Sequence, residues 1–289
     1  MARNSTNVRL HALSVTTLGG ALRLLGLASP RAAAALAARI FFRTPARRPT
    51  SPAEARVLAT GTRGDLGLGV HRLATWAWGT TGPAVLLVHG WGGSAAQMTP
   101  FVEALRDAGI RVVAFDGPGH GESAGRSASI PAFADAIARV AAAVGPLAGV
   151  VAHSMGGPAF SLAAARGLEA GTAVFVGPPS DAAAWVRGFV RALALSPRVE
   201  PLLRDRIEAI AGEPLDRLNT RALGPSLRMP LLVVHDRDDR EVPIADGERV
   251  AADAANGRLH ATAGLGHRRI LRDPGVVDLA VGFVTSRAA

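Results

Sequence analysis

Five short, mainly apolar runs alternate with longer stretches of helical spacing, and this alternation leaves the chain few architectures. Ala84–His89 reads AVLLVH and Arg111–Phe115 reads RVVAF; Gly149–His153, Thr172–Val176 and Leu231–His235 follow. Each is too short for a helix and apolar along its length, as a strand buried on both faces must be. Between them, Pro100–Ala108, Pro131–Val144 and Met155–Ala170 carry helical spacing. Strands alternating with helices predict an α/β fold, a mostly parallel sheet with helices on both faces. In such sheets ligands bind beyond the carboxyl ends of the strands, so chemistry is expected there.

Composition removes several function classes. The formal charge is +9, but residues 1–56 hold nine arginines and one acid, Glu54, which leaves the other 233 residues at +1. The main domain is therefore close to neutral, which argues against a nucleic-acid-binding face. Every basic residue is arginine, with no lysine anywhere and abundant alanine, a bias that reads as a GC-rich bacterial genome. Cysteine is absent, which excludes disulfides, thiolate catalysis and cysteine-based zinc sites and agrees with a reducing cytoplasm.

Residues 12–28 and 32–42 are apolar stretches separated by Ser29-Pro30-Arg31, and Arg23 and Arg39 interrupt them. Neither has the ~18–20 uninterrupted apolar residues of a spanning helix. Arg3 and Arg9 precede the first run as in a secretory leader, but Arg23 lies inside it and no clean small-x-small site follows. Two readings remain. The pair packs on the main domain, or it forms an arginine-bearing amphipathic surface that makes residues 1–56 a peripheral contact with the anionic inner face of a membrane. A proline-rich connector, residues 44–53, then leads into the main domain.

The strand ends carry the unusual residues. His89-Gly90-Trp91-Gly92-Gly93 follows the first run, and Asp116-Gly-Pro-Gly-His120-Gly-Glu-Ser123 the second. Ala152-His153-Ser154-Met155-Gly156 opens a helix after the third, a near match to the G-x-S-x-G of a sharp strand-to-helix turn that exposes a nucleophilic serine. A serine hydroxyl needs a base within hydrogen-bond reach, itself oriented by a third group. His267, in a glycine-flanked loop late in the chain, is the best base. His11 and His71 come too early, His260 sits in an apolar run, and His153 projects away from the serine. His89 and His120 belong to the glycine loops, and His235 supports the acid loop. For the acid, Asp236, Asp238 and Asp239 compete, with Asp181 as an outside candidate.

With these motifs in this order, residues 57–289 resemble the α/β-hydrolase superfamily. HGWG at His89–Gly92 is similar to the family's HGxG loop, which implies that the Trp91 N–H forms half of an oxyanion hole and the Met155 N–H the other half. His89, Gly90, Gly92 and His153 are then supporting residues. HDRDDREVP resembles HGxxDxxVP, which selects Asp239 as the triad acid, and Gly266-His267 matches the terminal GH. Ala152 stands where the first elbow glycine is usual, and Asp236 where a glycine follows the histidine.

The resemblance also implies a helical cap, here residues 178–228, in which Trp185, Phe189, Leu193 and Leu202 either line an acyl pocket or pack the cap. The implied function is carboxylesterase-like: a serine hydrolase with the triad Ser154, His267 and Asp239, acting on a small apolar ester, thioester or amide without cofactor or metal. The serine argues against branches of the fold that use an aspartate nucleophile. C–C bond hydrolysis, cofactor-free peroxidation and acyl transfer share the same triad, and a non-catalytic binding protein on this scaffold is the rival of another class. Oligomeric state is not legible.

Overall fold

The apolar runs form the centre of one sheet. The computed structural model describes residues 17–69 and 71–286; Arg3, Arg9 and His11, on which the readings of a leader and of one early histidine rest, lie outside them. The strands are β1 (Thr62–Leu68), β2 (His71–Trp78), β3 (Ala84–Val88), β4 (Arg111–Phe115), β5 (Leu147–His153), β6 (Ala170–Val176), β7 (Leu231–Asp236) and β8 (Gly257–Thr262). The helices are α1 (residues 17–28), α2 (Pro30–Phe42), α3 (Pro52–Ala59), α4 (Val102–Asp107), α5 (Ile130–Val144) and α6 (Gly156–Ala165). Further along come α7 (Ala182–Ala192), α8 (Glu200–Ala211), α9 (Thr220–Leu223), α10 (Ile244–Asp253), α11 (Gly266–Arg269) and α12 (Pro274–Thr285).

The chain divides into two compact units, and each has its own core. The larger comprises Thr44–Asp181 and Arg217–Ala289. It holds an eight-stranded sheet in the order β1-β2-β4-β3-β5-β6-β7-β8. The β1–β2 and β2–β4 pairs are antiparallel and the rest parallel. Helices flank the sheet, as double-sided burial of β3 and β7 requires. Two elements differ from expectation. The helix expected over Met155–Ala170 ends at Ala165, because Gly167 takes φ +100° to turn the chain into β6. The stretch before α4 is a 3₁₀ helix, Ala95–Phe101.

The smaller unit comprises Met1–Arg43 and Ala182–Asp216, described from residue 17 onward, and so joins segments far apart in sequence. The first segment of the smaller unit ends at Arg43. The stretch from Thr44, with α3, belongs to the sheet unit: buried Glu54 meets Arg272 at 2.7 Å, and Trp78 donates to the Val57 carbonyl. The segment expected over 178–228 likewise contributes only 182–216 to the smaller unit.

Packing explains why α2 joins this unit. Ala33, Ala34, Ala37 and Ala38 are buried together with Leu203 and Ile207 of α8, and side chains this small let two helices approach closely. Ser29 ends α1 and caps α2, its hydroxyl accepting from the Ala32 N–H ahead of Pro30 at the first helical turn. From α7, Ala183, Val186 and Val190 enter the same cluster, and Phe189 meets Phe41 edge-on at 5.3 Å. Leu193 is buried there, and Phe189 and Leu202 pack against it, whereas Trp185 is exposed. Overpacking at Ala37 should therefore be felt and overpacking on the open side should not. Ala37→Leu is expected to lower stability by about 1–3 kcal/mol in urea unfolding followed by circular dichroism, and Ala32→Leu to leave the midpoint close to that of the parent.

Candidate active site

Ser154 stands between β5 and α6 with φ +52°, one of two non-glycine residues in the left-handed region among the described residues. A β-carbon there costs roughly 1–2 kcal/mol, so the surroundings must impose it. They do so by close approach. A β-carbon on Gly90 would come within 2.7 Å of the Ser154 β-carbon, and one on Gly156 within 3.0 Å of the Val88 carbonyl oxygen. A side chain at Gly90 would force the turn to shift, and one at Gly156 would crowd the end of β3. Ala152, where the first glycine was expected, is fully buried.

The Ser154 hydroxyl lies 3.0 Å from His267 Nε2, and His267 Nδ1 lies 2.7 Å from Asp239 Oδ2. All three residues are buried. Ser154 stands at the β5–α6 turn, His267 in the first turn of α11 and Asp239 in the loop after β7. Gly177, at φ +58° after β6, leaves the room: a β-carbon there would sit 3.2 Å from His267 Nδ1. The second Asp239 oxygen accepts from the Glu241 and Val242 N–H groups. Burial works against ionising this carboxyl, but hydrogen bonds from His235, His267 and Val242 outweigh it, so its pKa falls well below the usual carboxylate range.

The competing acids have other partners. Asp236, wholly buried, accepts from Thr262 Oγ1 at 2.7 Å and from the Asp238, Leu265 and Gly266 N–H groups at 2.9–3.1 Å. Burial opposes its charge, yet these bonds prevail and its pKa is also lowered. It thus ties the end of β7 to the loop that carries His267. Asp238 accepts from Gly264 N–H in the same loop. Asp181 pairs by backbone with Asn219. The residue read as a departure from a glycine is therefore a clamp, a role that its acidity hinted at but that only the fold could assign.

The remaining histidines also hold backbone. His153 Nε2 donates to the His267 carbonyl at 2.9 Å, a contact that the expectation of a ring turned away from the serine did not foresee. His235 Nε2 donates to the Val242 carbonyl at 3.0 Å. His89 Nε2 accepts from Gly117 N–H and His120 Nε2 from Gly92 N–H, which joins the two glycine loops. Burial pushes the His89 and His153 imidazoles down to about 3. Both stay neutral at ordinary pH, as rings that accept or donate through fixed nitrogens must. Asp116, beneath the loops, accepts from the Ala95 and Glu122 N–H groups, and burial lifts its pKa to about 6.

Trp91 lies in the turn that Gly92 and His120 pin, and Met155 follows the serine. Among the described residues neither backbone N–H donates a hydrogen bond within the chain. A strained serine, a buried histidine within hydrogen-bond reach of it, a carboxylate on that histidine and two backbone N–H groups without a partner among the described residues are components that nucleophilic acyl chemistry can use.

Residues 83–215 match the family model for the alpha/beta hydrolase fold. Among solved structures, an esterase of Pyrococcus furiosus aligns with a TM-score of 0.65 at 17% identity, over 85% of this chain and 100% of its own. An esterase of Thermogutta terrifontis aligns with a TM-score of 0.60 at 22% identity, over 79% and 100%. A bromoperoxidase of Bacillus anthracis aligns with a TM-score of 0.59 at 19% identity, over 78% and 100%. At such identities these are likenesses of fold, and the differing names show that the fold alone does not choose a reaction. Sheet, matched segment and shared architecture agree, and the chain is an alpha/beta hydrolase-fold protein.

Proposed function

We propose that the protein is a serine hydrolase that cleaves small, mainly apolar carboxylic esters through an acyl-enzyme on Ser154. The observation that carries this reading is the unbroken line from Asp239 through His267 to Ser154, with links of 2.7 and 3.0 Å. Ser154 Oγ attacks the ester carbonyl while His267 Nε2 takes its proton. Ionised Asp239 holds the imidazole in the tautomer with Nδ1 protonated and steadies the imidazolium that forms. The carbonyl oxygen becomes an oxyanion, which the Trp91 and Met155 N–H groups receive. Collapse expels the alcohol, which takes the proton from His267. Water then repeats the cycle on the acyl group: His267 removes a water proton, the new tetrahedral species collapses, and Ser154 leaves with that proton.

The acid product and a regenerated enzyme balance the reaction, with no electron transfer. Thioesters and amides would follow the same steps with a different leaving atom. The preference for an ester rests on the esterases among the structural relatives, not on a contact in this site.

A fluorophosphonate probe and a series of p-nitrophenyl esters test the reading. The parent is expected to be labelled once and to turn over, with Ser154→Ala unlabelled and about 10⁶-fold slower. Asp239→Asn should lose about 10⁴-fold in kcat, because the imidazole then settles in the wrong tautomer. A well-folded parent that neither labels nor turns over any ester of the series would remove the proposal and favour a binding protein on this fold. Asp236 generates a separate expectation as a positioning residue. Asp236→Ala should lower kcat about 10²-fold by displacing His267, with KM little changed, and Asp236→Asn should recover part of the loss because it keeps an acceptor oxygen.

A further inference from the structure

Among the described residues, five of the six large apolar side chains that stand exposed belong to the smaller unit: Leu24, Leu27, Leu36, Trp185 and Ile210. Leu24 and Leu27 are the most open, at 71% and 82% exposure. They lie on α1, whose opposite face is already spent. Gly19, Leu22 and Gly26 are buried there, and a β-carbon on Gly19 would meet the Leu193 carbonyl oxygen at 2.8 Å. The helix is thus apolar on two sides, and its own unit uses one. Helix α2 repeats the arrangement: Ala33, Ala34, Ala37 and Ala38 face inward, while Ala32, Leu36, Arg39 and Arg43 form an exposed row.

Single exposed leucines need no explanation. A helix pair with leucines outward and no acid on either of its own helices does. Arg23, Arg31, Arg39 and Arg43 are all exposed, and among the described residues none of them pairs with a carboxylate. No acid occurs before Glu54, whereas residues 57–289 are nearly balanced in charge. The positive charge is therefore concentrated where the leucines are open.

We propose that α1 and α2 bind the surface of an anionic lipid bilayer, with Leu24, Leu27 and Leu36 entering the headgroup region and the arginines meeting lipid phosphates. Helices of this kind lie in the plane of the interface, held by buried apolar area together with attraction to anionic lipid. The alternative occupants lack counter-charge. A second copy meeting the same face would set arginine against arginine, and residues 1–16 add Arg3 and Arg9 without an acid. The inference is independent of the esterase reading, since it concerns other residues and its test does not read activity.

The full chain is sedimented with vesicles of phosphatidylcholine alone and with vesicles containing phosphatidylglycerol, at low and at high salt. The expected result is binding to the anionic vesicles only, weakened by salt. Leu24→Gln/Leu27→Gln should weaken it roughly tenfold or more and Arg39→Gln roughly fivefold. Circular dichroism checks that both variants fold, as substitutions at exposed positions should. Failure of the parent to bind, equal binding to both lipids, or unchanged binding by the folded leucine variant would each overturn the proposal. So would a dimer that ignores vesicles and is dispersed by the same leucine substitutions, because a second copy would then be the occupant.

Discussion

The left-handed backbone of Ser154 is the constraint around which the site is arranged. A residue with a β-carbon holds φ +52° only if its neighbours leave it nowhere else to go. Here β5 runs between β3 and β6, and the Ser154 N–H donates to the Val176 carbonyl at the end of β6. Gly90 presses against the serine from the β3 side, and Gly156 against the carbonyls of Val88 and His89. The turn sets the hydroxyl 3.0 Å from His267 Nε2 and leaves the Met155 N–H without a partner among the described residues. In the proposed mechanism, nucleophile and oxyanion donor both follow from this one strained residue.

The position of His267 is held by buried polar clamps. Asp236 holds the backbone entering α11, His153 holds the His267 carbonyl, and Asp239 fixes the ring. The neighbouring glycine loops are joined in the same way through His89 and His120. Burial keeps His89 and His153 neutral, so these rings act as fixed hydrogen-bonding groups and take no part in titration near neutrality. His89, His120, His153 and His235 serve as scaffold, and His267 lies within reach of the serine. The division of labour is set by which ring nitrogen meets which backbone atom.

Most of the sheet was legible because its central strands are buried on both faces and therefore read as unbroken apolar runs. The outer strands were not. β1 is exposed at alternate positions, and β8 has no buried residue, so neither imposes a pattern on its sequence. The second unit was hidden for another reason. Its core joins α1 and α2 to α7 and α8 across more than a hundred residues, and the alanines that make the contact look like ordinary helix formers.

By itself the sequence determined the α/β class and the order of the strand-end motifs. It also marked Ser154 and His267, because a strained turn and a glycine-flanked histidine are local features that composition and spacing must encode. Among the acids it offered a cluster that only a family pattern could rank. The tertiary structure decided the rest. It brought Asp239 to His267, turned Asp236 into the clamp of that loop, and placed the boundary after Arg43. Those outcomes depend on which side chains meet across distant segments, and the meeting is a property of the packed chain that no single stretch of it contains.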